Sequence, residues 1–175
     1  PGVGSWEPFR PEKVLRIATW NVNGLRSALQ KGFPGIIRKV KPDVLMLQEI
    51  RATPDQLPKP WARPRGWHVH WHPAERSGYA GTAIWSRHPL SEVRIGLGSR
   101  DSEGRVILAL IQGIRVACVY LPSGSSGAER QQIKEVWLKK MMPWAKRLVG
   151  RDEPVVIGGD LNIAHTEKDI FYAKG

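Results

Sequence analysis

Three predicted strands in this chain lead into polar residues, and this pattern constrains the possible folds most strongly. The strands and the polar residues after them are 14–20 with Asn21 and Asn23, 44–47 with Gln48 and Glu49, and 154–157 with Asp160 and Asn162. The second and third are uninterrupted apolar runs, which are typical of strands covered on both faces, as in α/β proteins. Because functional sites in such folds gather at the carboxyl ends of strands, these polar residues are candidates for one site.

The segments between these runs complete an α/β domain with a mixed sheet. Apolar residues at helical spacing predict a helix over 25–40, with a fresh turn at Pro34, and a long helix over 128–149. Short antiparallel strands are expected at 67–72, 80–86, 105–112 and 114–121. The buried stripe of the long helix should contain Ile133, Trp137, Met141, Trp144 and Leu148. Its opposite face carries Arg130, Lys134, Lys139, Lys140, Lys146 and Arg147.

The charge balance points to a polyanionic partner. The 175 residues include 27 Lys or Arg and 16 Asp or Glu, for a net charge of +11. Nucleic acid is the first candidate and an anionic membrane surface the second. No apolar run is long enough to span a bilayer. The single cysteine, Cys118, excludes an internal disulfide and fits an intracellular protein, cytoplasmic or nuclear and not secreted.

The chemistry of the strand-end residues suits a metal ion and a phosphate group. Carboxylates and amides are hard oxygen ligands for Mg²⁺, which keeps several waters and binds phosphate. Glu49 and Asp160 could hold the metal and activate a water, while Asn21 and Asn162 donate to phosphate oxygens. Each of these residues alone is more often an ordinary cap or turn. Three polar strand ends on a basic domain favour a metal-assisted phosphoester hydrolase.

Two other features are better explained by packing than by chemistry. His68, His70 and His72 alternate with apolar residues and should form a solvated face over a tryptophan-rich inner face. A zinc site there is less favoured because no cysteine or acidic ligand accompanies them. Cys118 lies in an apolar run and is expected to be a small core residue. The eight tryptophans could stack on nucleic-acid bases, but most sit at periodic apolar positions, so packing in the core is favoured.

Three sequence blocks carry a family resemblance. They are TWNVNGLR at 19–26, LQE at 47–49 and GDLNIAH at 159–165. Together they resemble the exonuclease III-type abasic-site endonucleases of the endonuclease/exonuclease/phosphatase superfamily. The first block alone is shared with inositol polyphosphate phosphatases. Its ending at 25–26, the ending at 162–164, and the segments 77–83 and 101–105 favour the DNA repair branch.

The resemblance implies a fold and a set of site residues. The fold is a DNase I-like four-layer α/β sandwich, of which residues 14–175 would be the N-terminal part and residues 1–13 a loose extension. Glu49 would be the metal ligand, with Asn21 a weaker one, and Asp160 would position or deprotonate the attacking water. Asn162 and Asn21 would hold the scissile phosphate, and Tyr120 would contact it.

Further residues follow from the same resemblance. Asn23 and Gln48 are expected beside the site. Asn23 stands where some relatives carry an aspartate, so a second metal site there should be weak. The segment 77–83 resembles the DNA-facing loop of that branch, so Gly78 and Tyr79 are expected to contact DNA. Arg76 precedes this loop and Arg105 follows a glycine at a strand start, so each could contact a phosphate, with plain surface charge as the alternative.

The implied activity is Mg²⁺-dependent cleavage of DNA 5′ to abasic sites, with 3′–5′ exonuclease and 3′-end trimming activity. Mn²⁺ should replace Mg²⁺, and the partner would be duplex DNA with abasic sites or 3′ ends, bound by a monomer away from membranes. One alternative is a phosphatase acting on inositol phosphates or other small phosphates. Another is a DNA-binding module without catalysis.

The family's domain is longer than this chain. Its later part supplies a metal-associated aspartate and a Ser-Asp-His ending, and neither is present in residues 1–175. Residues 1–175 alone are therefore expected to be inactive. They should also be poorly stable, because the runs 106–111 and 155–157 would leave an apolar face uncovered.

Overall fold

Two four-stranded sheets form the centre of the protein. The computed structural model of the chain describes residues 14–124 and 127–169. The extension expected at residues 1–13 lies outside the described residues. The first sheet has the order β1-β2-β4-β3 and the second the order β5-β6-β7-β8. β1 runs parallel to β2, and β7 runs parallel to β8, whereas all other pairings are antiparallel.

The elements follow one another along the chain in a mixed order. The strands are β1 Ile17–Asn21, β2 Val44–Gln48, β3 His68–His72, β4 Thr82–Ser86, β5 Ser91–Ile95, β6 Val106–Ile111, β7 Ile114–Tyr120 and β8 Val155–Asp160. The helices are α1 Leu25–Gln30, α2 Phe33–Val40, α3 Lys59–Ala62 and α4 Ala128–Val149, with 3₁₀ turns at Pro54–Gln56 and Glu167–Asp169. No helix in these described segments is long and apolar enough to cross a membrane.

Three apolar clusters separate four layers. Between the first helices and the first sheet, Trp85 is fully buried and its ring packs against Phe33 and three further tryptophans. Between the sheets lie residues such as Met46 and Ile107, and between the second sheet and α4 lie Leu108 and Trp144, among others. The predicted mixed-sheet α/β fold is therefore confirmed.

Several local predictions need correction. The helix expected over 25–40 is divided into α1 and α2, because Gly32 adopts a left-handed backbone with φ 99°. Pro34 lies in the first turn of α2, where its missing N–H costs nothing. The sequence pattern missed β5, whose residues are mostly exposed, and the short helix α3. In the stripe of α4, Met141, Trp144 and Leu148 are buried, but Ile133 is 37% exposed.

Residues 106–111 in β6 and 155–157 in β8 are predicted to leave an apolar face uncovered, and the structure agrees only for β8. β6 is covered on both faces, because Ile107 packs in the cluster between the sheets while Val106 packs against α4. The prediction of an uncovered face on residues 106–111 is thus wrong. β8 is an edge strand, and all six of its residues are half-buried rather than buried on both faces.

The three histidines of β3 differ in their surroundings. His68 is exposed and His70 half-buried, but His72 is only 8% exposed. The His72 Nε2 atom lies 3.2 Å from Oδ2 of Asp101. The predicted solvated histidine face is therefore wrong for His72, which binds a buried carboxylate instead.

The Asp101 carboxylate anchors the loop that leads into β6. Its Oδ2 atom accepts hydrogen bonds from the backbone N–H groups of Arg105 at 2.8 Å and Val106 at 2.9 Å. Burial alone would raise the pKa of Asp101, but the hydrogen bonds from His72 and from these backbone groups outweigh it and lower the pKa below its ordinary value. The carboxylate is thus charged when it holds the loop.

Asp101→Asn tests this anchor through the pH dependence of stability. A carboxyl whose pKa is lowered on folding stabilises the protein above its unfolded pKa and loses that contribution as the pH falls through the folded pKa. At neutral pH the variant should lose about 1–3 kcal/mol of unfolding free energy. The difference should shrink as the pH falls below about 4. Denaturant unfolding across this range measures it, and a difference that does not change with pH would contradict the account.

Candidate active site

The carboxyl ends of four strands meet at one edge of the sandwich. Parallel pairing places Asn21 opposite Gln48 in the first sheet and Tyr120 opposite Asp160 in the second. Glu49 follows β2 directly. The structure thus brings polar residues from distant parts of the chain to a single point.

The side-chain amide of Asn21 joins two carboxylates from different sheets. Its Nδ2 atom donates to Oε1 of Glu49 at 3.0 Å and to Oδ2 of Asp160 at 2.8 Å. Its Oδ1 atom accepts the backbone N–H of Asn23 at 3.0 Å, so the amide nitrogen faces the carboxylates. Asn21 therefore acts here as a donor to both acids, and its oxygen is directed to the backbone rather than to the carboxylates.

Glu49 receives hydrogen bonds from three residues. The Tyr120 hydroxyl donates to Oε1 at 2.6 Å, alongside Asn21, and an Arg51 N–H donates to Oε2 at 2.5 Å. Burial raises the pKa of Glu49, but these hydrogen bonds together outweigh it and lower the pKa. Burial and the bond to Glu49 both raise the pKa of Tyr120. Glu49 is accordingly a carboxylate, and Tyr120 remains protonated as its donor.

Asp160 and Asn162 close the loop after β8. The Asn162 backbone N–H donates to Oδ1 of Asp160 at 3.0 Å, and the Asn162 amide donates to the Leu121 carbonyl at 2.7 Å. The Lys134 ammonium on α4 donates to the Asn162 carbonyl at 2.6 Å. These bonds fix the Asp160 carboxylate beside Asn21.

Left-handed backbone conformations cluster at this edge. Asn23, Glu49 and Asn162 have φ values of 45°, 52° and 49°. Such conformations are strained for residues with a side chain and persist where the surroundings hold them. The Glu49 carbonyl, for example, accepts the N–H of Gly24 at 2.7 Å. These left-handed conformations turn the chain sharply at the strand ends.

Gln48 and Cys118 lie buried beneath the site. The Gln48 amide donates to the Thr19 hydroxyl at 3.0 Å and to Sγ of Cys118 at 3.3 Å. Burial raises the pKa of the Cys118 thiol to about 12, so the thiol stays protonated. Cys118 is fully buried between the sheets, which confirms the prediction that it is a core residue.

The loop expected to face DNA is organised around Tyr79. The Tyr79 hydroxyl accepts hydrogen bonds from Arg105 at 3.2 Å and from Arg130 on α4 at 3.3 Å. The exposed Arg76 guanidinium lies 5.4 Å from the centre of the Tyr79 ring. Gly78 is exposed, with φ 71°, a conformation that glycine adopts without strain.

Arg105 is buried and connects this loop to the carboxylate cluster. The residue is 2% exposed, and its Nε–H donates to Glu103 at 2.5 Å. Its guanidinium also donates to the Tyr120 carbonyl at 3.1 Å and lies 4.7 Å from the centre of the Tyr120 ring. This geometry does not support the expected direct contact of Arg105 with a phosphate. It shows instead that Arg105 holds Tyr79 and Tyr120 in place.

Some contacts at the site have no clear sequence signal. Arg51 binds Glu49, yet only its position two residues further along the chain could have suggested this. Arg130 and Lys134 belong to the basic face of α4, from which the sequence alone singles out neither residue. Asn23, expected beside the site, is exposed and contributes its backbone N–H to Asn21.

The donor set fits a hard divalent cation. Within residues 14–124 and 127–169 there is no group of three or more His, Cys, Asp or Glu side chains that could hold a metal. Glu49 and Asp160 share one amide donor and present carboxylate oxygens at the same edge. Mg²⁺ keeps several waters and binds proteins through one or two carboxylates, so this pair suits Mg²⁺ better than a fully protein-coordinated metal. Both oxygens of each carboxylate already accept protein hydrogen bonds, so hydrogen bonding alone does not rank Glu49 above Asp160 as a ligand.

Comparison with known proteins identifies the family. The model of the Endonuclease/Exonuclease/phosphatase family matches residues 18–174. The chain belongs to this family. An exodeoxyribonuclease of Bacillus subtilis is 33% identical over 159 residues, which are 89% of this chain and 62% of that protein. A DNA-(apurinic or apyrimidinic site) endonuclease of Dictyostelium discoideum is 34% identical over 169 residues, 94% of this chain and 46% of that protein.

A solved structure of the family shows the same architecture. A 3′ phosphatase from Neisseria, bound to a product DNA hairpin, superposes with a TM-score of 0.78 and 31% sequence identity. The match covers 88% of this chain and 60% of the Neisseria chain. The chain therefore spans about half to two thirds of the length of these family members.

Separate substitutions of the buried Arg105 and the exposed Arg76 test whether Arg105 contributes more to the unfolding free energy. Arg105→Met should lower the unfolding free energy by about 2–3 kcal/mol, because it removes charged hydrogen bonds and leaves part-buried acceptors unpaired. The exposed Arg76→Met is the control and should change it by about 0.5 kcal/mol or less. Denaturant unfolding of both variants gives the comparison. Equal effects would mean that Arg105 does not hold the buried network.

Proposed function

We propose that the protein is a Mg²⁺-dependent DNA repair nuclease that hydrolyses the phosphodiester 5′ to an abasic site and also trims 3′ ends. The observation that carries the proposal is the pair of carboxylates, Glu49 and Asp160, held by Asn21 beside a basic loop. The relatives named exodeoxyribonuclease and abasic-site endonuclease support it. The structural relative bound to a DNA hairpin supports DNA as the substrate.

The proposed reaction is an in-line hydrolysis of a phosphodiester. A water oxygen bonds to phosphorus while Asp160 accepts the water proton, the bond from phosphorus to the 3′ oxygen breaks, and the departing 3′ oxygen takes a proton from solvent to become a hydroxyl. Mg²⁺ held by Glu49 would stabilise the extra negative charge on the phosphate and acidify its bound water. Asn21 holds the two carboxylates next to each other through its amide hydrogen bonds. Tyr120 holds Glu49 through the 2.6 Å hydrogen bond.

The residues around Tyr79 would bind the DNA backbone. Arg76 is exposed, is stacked over the Tyr79 ring, and makes no ion pair within the described residues. Gly78 carries no side chain, so a phosphate backbone can approach the loop closely. The net charge of +11 adds long-range attraction to DNA. Arg105 acts indirectly, by holding Tyr79 from below.

Glu49→Gln in the full-length protein tests the proposed chemistry. The variant keeps the shape of the side chain but loses its charge, so Mg²⁺-dependent cleavage of an abasic duplex should fall by about 10²–10³-fold or more. Binding of the same duplex in EDTA should survive. Glu75→Gln is the matched control, because Glu75 is exposed and, in the described part of the chain, its carboxylate pairs only with Arg100.

Three results would contradict the proposal. Full activity of Glu49→Gln would remove Glu49 from the site. Wild-type protein that cuts no more abasic DNA with Mg²⁺ than with EDTA would favour a binding module without catalysis. Phosphate release from inositol phosphates without any DNA cleavage would favour the phosphatase alternative.

Arg76→Ala tests the proposed DNA contact separately. A phosphate contact contributes about one unit to the slope of log binding constant against log salt concentration. The variant should therefore bind duplex DNA more weakly and with a slope smaller by about one. Lys39→Ala on the exposed face of α2 is the control and should leave the slope unchanged. Identical slopes for wild type and Arg76→Ala would exclude Arg76 from the interface.

A further inference from the structure

A cavity lies between α4 and the outer surface of the second sheet. Its volume is about 250 Å³. Four arginines line it: Arg94 on β5, Arg115 on β7, Arg147 on α4 and Arg151 just after α4. Among the described residues that line the cavity there is no aspartate or glutamate. A cavity of this size with four guanidinium groups has the chemistry of an anion-binding site.

The cavity is distant from the carboxylate cluster. Arg115 pairs with Val155 at the start of the two parallel strands, whereas Tyr120 pairs with Asp160 at their ends. Five residues of strand at about 3.3 Å each separate the two levels by roughly 16 Å. A ligand in the cavity would therefore not contact Glu49 or Asp160.

Among the residues that the structure describes, Arg115 is the one arginine of the four that forms ion pairs with carboxylates. The Arg115 guanidinium is 3% exposed and donates to Glu92 at 2.8 Å and to Glu153 at 3.0 Å. Its Nε atom is buried and has no hydrogen-bond partner within residues 14–124 and 127–169. An unpaired buried N–H carries a desolvation cost that a suitable acceptor would remove.

The other three arginines add positive charge to the lining of the cavity. Arg94, Arg147 and Arg151 make no ion pair in the part of the chain that the structure describes. Arg147 and Arg151 are four residues apart at the end of α4, where like charges repel. The helix dipole stabilises a cation at this end and accounts for Arg147, but it does not account for Arg94 on the neighbouring strand. A bound anion would relieve the repulsion among all three.

The remaining wall of the cavity is apolar. It includes the ring of Trp144 and the side chains of Leu97, Leu108 and Leu148. Trp144 and Leu148 are 8% and 5% exposed, so this wall belongs to the packed interface of α4. A simple inorganic ion would use only the guanidinium side. A molecule with both a phosphate and an apolar ring would use both sides.

We propose that this cavity binds a small organic phosphate of the size of a nucleoside monophosphate. The phosphate would be bound by Arg94, Arg147 and Arg151, since guanidinium groups bind phosphate oxygens in pairs. The ring would lie against Trp144 and the leucines. The volume of about 250 Å³ admits one such molecule but not a polypeptide or a duplex. The inference does not rest on the proposed nuclease activity.

Calorimetry on the full-length protein, in EDTA and without DNA, tests the proposal with 2′-deoxyadenosine 5′-monophosphate as the probe. One saturable binding event is expected, with no detectable binding of deoxyadenosine and weaker binding of inorganic phosphate. The double variant Arg147→Gln/Arg151→Gln should bind the probe at least about tenfold more weakly, because two charged hydrogen-bond donors are lost. Circular dichroism confirms that the variant is folded.

Two control variants locate the binding. Arg38→Gln/Lys39→Gln removes the same charge from the exposed face of α2 and should bind like wild type. Glu49→Gln should also bind like wild type, whether or not the protein proves to be a nuclease. The proposal is overturned if the probe does not bind saturably. It is also overturned if the arginine-site and α2 double variants lose equal affinity for the probe, or if Glu49→Gln alone changes that affinity. Inorganic phosphate binding as tightly as the nucleotide would overturn the role of the apolar wall.

Discussion

The Asn21 amide is the contact on which the candidate active site depends. Two carboxylates, Glu49 from the first sheet and Asp160 from the second, approach its single nitrogen within 3.0 Å and 2.8 Å. Without a donor between them, two charges of the same sign would repel across the gap between the sheets. The neutral Asn21 side chain therefore makes the positions of the two carboxylates depend on how the two sheets pack together. Hydrogen bonds from Tyr120 and Arg51 then hold Glu49 further.

Features that cost free energy surround this contact. Glu49 and Asn162 keep strained left-handed backbones, and Arg105 is buried where it holds both Tyr79 and Tyr120. Strained conformations and buried charges each cost free energy, and such features cluster at functional sites. Arg105 also joins the loop around Tyr79 to the carboxylates, so a phosphate bound at the loop would lie beside residues already held in place.

The sequence was most informative where the pattern was local. An apolar strand followed by a polar residue is visible in the sequence, and the parallel pairing of such strands brings Asn21, Glu49 and Asp160 together. The burial of Arg105 and His72 could not be seen in this way, because their partners lie on other strands and loops. A lone arginine after a glycine resembles a surface residue until Tyr120 covers it. The break at Gly32 also depends on backbone geometry rather than on the apolar pattern.

The central proposal is that Asn21 holds Asp160 beside Glu49, the proposed Mg²⁺ ligand, in one site. Calorimetric titration of the full-length protein with Mg²⁺, in the absence of DNA, tests it most directly. Wild type should show one saturable binding event, Glu49→Gln should lose it, and Asn21→Ala should bind at least about tenfold more weakly because the carboxylates are no longer held together. Mg²⁺ binding that is unchanged in both variants would contradict the account.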